Sequence, residues 1–120
     1  SVVMINANDI ENFPADSPEK MIALGREYEF SFPYLYDESQ QAAIAYQAAC
    51  TPDFFLFNAE HRLVYRGQYD DARPGNNEVI SGADLQAASR ALLSNKPISA
   101  QQIPSMGCNI KWRAENEPAY

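Results

Sequence analysis

Two cysteines in 120 residues are too few for a disulfide scaffold, and they fit a reducing compartment. No Cys-x-x-Cys occurs, so two-cysteine redox chemistry has no centre of its own in this stretch. Positive charge is scarce as well. Nine Lys and Arg stand against sixteen Asp and Glu, for a net charge of −7, and no basic cluster exists to follow a phosphate backbone. Nucleic acid is thereby excluded as an expected partner. No apolar run approaches the ~20 residues of a membrane span, and no basic segment precedes a hydrophobic one. Gly-x-Ser-x-Gly, phosphate-binding glycine loops and dinucleotide fingerprints are all missing, which leaves hydrolase and nucleotide-dependent readings unsupported. The one histidine, His61, sits in the turn Asn58-Ala59-Glu60-His61 without a Cys, His or Asp partner and reads as a solvated turn residue. Asp70 and Asp71 lack a third acidic ligand at suitable spacing. They read as a loop that caps its own backbone, so no metal and no cofactor is expected.

What is present is an ordered alternation of elements. Val2-Val3-Met4-Ile5-Asn6 is a short continuous apolar run, the pattern of a strand buried on both faces. A polar loop follows, and Asp16-Ser17-Pro18-Glu19 opens a helix with a capping oxygen, a proline in the first turn and an acid against the helix dipole. Met21, Ile22, Leu24 and Tyr28 form its apolar stripe. Phe32 to Tyr36 is an extended connector. Asp37-Glu38-Ser39-Gln40 supplies a capping box for a second helix reaching Ala48.

Ala49-Cys50-Thr51-Pro52-Asp53-Phe54-Phe55-Leu56-Phe57-Asn58 is the densest signal. Side chains alternate along a strand, so Phe54 and Leu56 face one way, Phe55 and Phe57 the other. Pro52 has no N–H to give a ladder and fits at the strand's entry, where a cis Thr51–Pro52 bond is plausible. Leu63-Val64-Tyr65-Arg66-Gly67 completes a hairpin. Arg73-Pro74-Gly75-Asn76-Asn77 is a turn by composition. Ser81 with Asp84 starts a last helix carrying Leu85, Ala88, Leu92 and Leu93, which ends near Asn95. Residues 1–97 are expected as one domain and 98–120 as a surface tail, with Met106 and Trp112 as its apolar anchors.

The proline-entered strand and hairpin resemble the cis-proline loop and final hairpin of thioredoxin-like proteins. Further stretches match in order and spacing: Ile5-Asn6-Ala7-Asn8-Asp9, Phe32-Pro33-Tyr34-Leu35-Tyr36-Asp37, Tyr65-Arg66-Gly67 with Asp70-Asp71, and Pro104-Ser105-Met106-Gly107-Cys108 with Ile110-Lys111-Trp112. From Val2 to about Trp112 the chain is similar to the C-terminal two-thirds of the redoxin branch, that of alkyl hydroperoxide reductase and thiol-specific antioxidant proteins. The resemblance implies an α/β fold, a thioredoxin-like three-layer sandwich truncated at the N-terminus, with a mixed sheet ending in an antiparallel hairpin.

It also implies an antioxidant oxidoreductase working on a protein disulfide or a peroxide with a thiol reductant, and the acidic, cysteine-poor composition makes the cytoplasm the expected compartment. Its catalytic cysteines should then lie ahead of Ser1, in an element this chain lacks. In that arrangement Thr51 and Pro52 position the substrate, Thr51 through strand-like pairing with an extended peptide. Cys50 and Cys108 are the candidate auxiliary thiols. Against this, Cys50 in its Ala48-Ala49-Cys50 run also reads as a small buried hydrophobe, and Cys108 as a tail residue packed back on the domain. A Cys50–Cys108 disulfide does not follow from spacing. Where the missing element precedes Ser1, the exposed strand edges are expected to pair with that N-terminal segment; where it is absent altogether, they predict a homodimer. The chain would then be a redox-inactive, protein-binding module.

Overall fold

A computed structural model describes residues 1–120, and they divide into two compact units. The first comprises Ser1–Ala49 with Asn109–Tyr120, the second Cys50–Cys108.

In the first unit, β1 (Met4–Asn6) lies parallel to β2 (Tyr34–Tyr36), with Ile5 opposite Leu35. Between them runs α1 (Pro18–Glu27), whose cap is Ser17, its hydroxyl accepting from the Lys20 N–H at 3.4 Å. Only Met21 of the expected stripe is buried; Ile22, Leu24 and Tyr28 are exposed. α2 (Gln41–Ala45) is shorter than the sequence suggests. The Asp37 carboxylate accepts from Ala43 N at 3.1 Å, but the residue before the helix, Gln40, takes a left-handed conformation at φ 62°. That geometry turns its side chain into the unit and makes it the polar centre. Gln40 Nε2 donates to the carbonyls of Ala7 (2.6 Å) and Lys111 (3.1 Å), while Oε1 accepts from Arg113 N and Asn116 Nδ2, both at 3.0 Å. Arg113 in turn pairs with Asp9 at 3.7 Å.

The second unit is built on a hairpin, β4 (Phe54–Phe57) antiparallel to β5 (Leu63–Gly67), with a bulge between Leu56 and Phe57. Asn58 closes the turn, its Oδ1 accepting from the backbone of Glu60 and Arg62. Tyr65 is buried under the hairpin and donates its hydroxyl to the Gln68 carbonyl. α3 (Ala83–Leu93) follows, with buried Ala88 as its innermost side chain. The short strand β3 (Cys50–Thr51) runs beside the Cys108 end of β6 (Cys108–Asn109).

The architecture is mixed α and β, and it corrects the expected three-layer sandwich. Strand pairing occurs in three separate two-stranded ladders, with no mixed sheet continuing through them. The reason lies in burial. Reading apolar runs as doubly covered strands requires a layer on each face. Met4 and Ile5 are instead 38% and 49% exposed, and β4 is half-buried up to an exposed Phe57. Strands of two to five residues offer too few backbone groups to recruit further neighbours.

The segment expected as a surface tail is divided between the units. Gln102 and Ser105 run along β5: Gln102 Oε1 accepts from Arg66 N at 3.0 Å, its Nε2 donates to the Val64 carbonyl at 3.0 Å, and Ser105 Oγ donates to the Gly67 carbonyl at 2.7 Å. Backbone groups of β5 left open by the hairpin are satisfied this way. In the first unit the buried anchor is Ile110, rather than Met106 or Trp112.

Candidate functional site

Cys50, Thr51 and Pro52 form one turn, and the Thr51–Pro52 bond is cis. Cys50 is half-buried, its thiol 3.7 Å from the Pro52 carbonyl oxygen. Burial pushes this thiol above its ordinary pKa, the Asp53 carboxylate adds to the rise, and the Arg66 guanidinium opposes it. Arg66 is held where it can do so by an ion pair to Asp53 at 3.3 Å and by the face of Phe55, 4.9 Å below its guanidinium. A thiol raised in this way stays protonated near neutral pH and is a poor nucleophile. Asp53→Asn should therefore move alkylation of Cys50 to lower pH, and Arg66→Met should move it higher. Iodoacetamide rates across pH 7–11 check both signs, and shifts in a common direction would contradict the assignment.

Thr51 is not free to receive a peptide on the side facing β6. Its hydroxyl donates to the Cys108 carbonyl at 3.3 Å, and Gly107 is pressed against the Thr51 carbonyl. Both cysteines are free. Cys108 is the exposed one of the two.

Beyond Pro52 opens a cavity of about 520 Å³ lined by Phe54, Tyr69, Arg73, Ile80, Ser105 and Met106 among others. Phe54 and Tyr69 stack with ring centres 5.5 Å apart. Behind them lies a polar frame. Asp70, buried, accepts from Ser81 N (2.7 Å), Gly82 N (2.8 Å) and Ala72 N (3.0 Å). These bonds, Gly82's first, hold its carboxyl below the usual carboxylate range although burial works against them. It thus caps the backbone of two turns. No grouping of three metal-binding side chains occurs.

Gln68 Nε2 donates to Asp71 (2.7 Å) and Asp84 (2.8 Å), and its Oε1 accepts from Arg73 Nη2. Arg73 Nη1 donates to the carbonyls of Asp70 (2.9 Å) and Ala72 (2.8 Å), while its buried Nε has no partner. Because the carboxyl of Asp70 is depressed when folded, its stabilisation is complete above the ordinary value near 4 and fades as pH falls through the lower folded value. Amide exchange at Ser81 and Gly82 is expected to accelerate only on strong acidification; protection unchanged in an Asp70→Asn chain would contradict this. Arg73, Gln68 and Tyr69 were not visible as site residues, since the loop holding Arg73 reads only as a turn.

No family model and no curated protein matches the chain. Solved structures do. The hypothetical protein SMc02350 of Sinorhizobium meliloti 1021 is 55% identical over 95% of this chain, with a TM-score of 0.93. An uncharacterized conserved protein of Geobacillus kaustophilus is 51% identical over 95% of it, also at 0.93. The chain spans 62% and 60% of their respective lengths. Neither name carries an activity. No helix of the chain is long and apolar enough to cross a membrane.

Proposed function

We propose that this chain is the substrate-binding part of a thiol redox protein, acting by thiol–disulfide exchange or peroxide reduction, whose attacking cysteine lies outside residues 1–120. The observation that carries the reading is that three of the redoxin-like stretches meet within the second unit. They supply Pro52 and Phe54, Asp70, and Ser105 and Met106 to the lining of one cavity, while Gly107 and Cys108 lie against Thr51. The length by which the two relatives exceed this chain is room for the attacking element.

In the disulfide reaction, a thiolate attacks one sulfur of the substrate and the other sulfur leaves as a thiolate. A second thiol of the protein, once deprotonated, displaces the substrate, and the protein is left oxidised by two electrons for an external thiol to restore. Cys50, protonated and turned to the Pro52 carbonyl, suits neither role. Cys108, exposed and fastened to Thr51, suits the second. The cytoplasm, where thiols stay reduced, fits this chemistry.

A redox-inactive binding module is the second reading, favoured by the raised pKa of Cys50. The natural full-length protein decides between them. After reduction it should consume glutathione disulfide or hydrogen peroxide through a thiol that alkylates below pH 7, with Cys108→Ser slowing turnover and Cys50→Ser leaving it unchanged. Finding every thiol unreactive below pH 8 would hand the lead to the binding module.

A further inference from the structure

We propose that the segment 101–105 guards the outer edge of β5, its Gln102 amide keeping a second copy of this chain from adding a strand there. The inference goes beyond the thiol-redox reading and holds whichever chemistry the chain performs. The hairpin is a two-stranded sheet, so β4 pairs with one edge of β5 and no strand pairs with the other. An edge of this kind presents backbone N–H and C=O groups that template pairing with another chain.

Val64, Arg66 and Gln68 lie two residues apart, and alternation points their backbone groups to one side of the strand. Gln102 occupies that side. Its Nε2 donates to the Val64 carbonyl and its Oε1 accepts from the Arg66 N–H, both at 3.0 Å. One side-chain amide thus gives and takes as a peptide group of a neighbouring strand would. The Ile103 carbonyl continues the row, accepting from Gln68 N at 2.8 Å.

The segment stands in for a strand without being one. Nε2 of Gln102 also donates to the Ser99 carbonyl at 3.1 Å, which fixes the amide from its own side. A methyl at Gly67 would lie 2.6 Å from the Ile103 carbonyl oxygen, so the glycine that ends β5 lets this backbone close on it. Pro104 comes next. It has no N–H to offer, so the open edge is not handed on to a further strand. What the segment covers is a strand that pairs readily, because Leu63-Val64-Tyr65 is apolar and rich in β-forming side chains. The fitting partner is the same strand of a second copy, since a two-fold axis sets one edge antiparallel to itself.

The test replaces Gln102 in the full chain. Gln102→Met keeps the length of the side chain and removes its donor and acceptor. In analytical ultracentrifugation it is expected to add an association step that the parent lacks, with a Kd of about 10–100 µM. Amide exchange then locates the contact. The Arg66 N–H, released from Gln102, should exchange fast in dilute Gln102→Met and roughly tenfold slower above that Kd, as the second copy takes it up. Gln102→Ala removes the amide without adding an apolar side chain, so it must associate too, which separates an opened edge from a sticky methionine. Variants that keep the parent's association state would overturn the proposal. Association that leaves the Arg66 amide exchanging fast would do the same, because the copies would then meet elsewhere.

Discussion

A Gln40→Leu chain is expected to lose about 2–4 kcal/mol of stability, measured by urea unfolding. Leucine matches glutamine in size, and both carry the same left-handed backbone, so neither volume nor φ explains a loss. The difference is polar. Gln40 is 1% exposed and uses both ends of its amide, in bonds to Ala7, Lys111, Arg113 and Asn116. Two of those partners keep an alternative: the Lys111 carbonyl also accepts from Asp9 N, and Asn116 Nδ2 also donates to the Ser39 carbonyl.

The Ala7 carbonyl and the Arg113 N–H are left to bear the loss, each costing roughly 1–3 kcal/mol if buried unpaired. Gln40→Glu separates the two ends of the amide. A carboxylate keeps the bonds from Arg113 and Asn116 but sets a negative oxygen against two carbonyls, and only its protonated form can donate to them. That variant should therefore gain stability relative to the parent as pH is lowered, whereas Gln40→Leu should not. A loss below 1 kcal/mol in the leucine variant would mean water replaces the amide.

Gln40 also marks where sequence reading runs out. Asp37-Glu38-Ser39-Gln40 fits a capping box, and in it Asp37 does accept a helix N–H. Nothing in the string signals that Gln40 leaves the helix with a positive φ, because its four partners lie up to 76 residues away. The hairpin was legible for the opposite reason. Alternation along Phe54–Phe57 and the Asn58 turn are local, and they set the register found.

The failed sandwich lies between these cases. Apolar runs at 2–5 and 54–57 report a preference for burial, but the number of strands beside them depends on what else is there to pair. At the site, Cys50, Thr51 and Pro52 stood out by type, and the turn they form is real. Arg73 and Tyr69 did not, because an arginine in a Pro-Gly-Asn loop looks solvated until its guanidinium is seen holding two carbonyls. The capping role of Asp70 was readable, since an aspartate ahead of a turn commonly accepts backbone N–H groups.

The same residue change made at two glycines should give opposite signs. Gly25→Ala, inside α1, is expected to stabilise by roughly 0.5–1 kcal/mol. The new methyl meets nothing nearer than Phe30 Cδ2 at 3.7 Å, an ordinary contact, and alanine loses less backbone entropy in a helix. Gly107→Ala is expected to destabilise by about 1–3 kcal/mol, or more if the ladder parts altogether. Its methyl would overlap the Thr51 carbonyl oxygen and lie 3.0 Å from the carbonyl carbon. Backbone cannot rotate aside as a side-chain end does, so either β3 or the Gly107-Cys108 segment must move.

Movement there breaks the bond from the Thr51 hydroxyl to the Cys108 carbonyl and uncouples the exposed thiol from the proline turn. Two readouts then move together: the melting temperature falls, and Cys50, whose turn shifts with Thr51, alkylates faster at fixed pH. Loss of stability with unchanged Cys50 reactivity would place the damage elsewhere in the second unit. Unchanged stability would show that the two strands are not pressed together, and the case for Cys108 as the second thiol would fall with them.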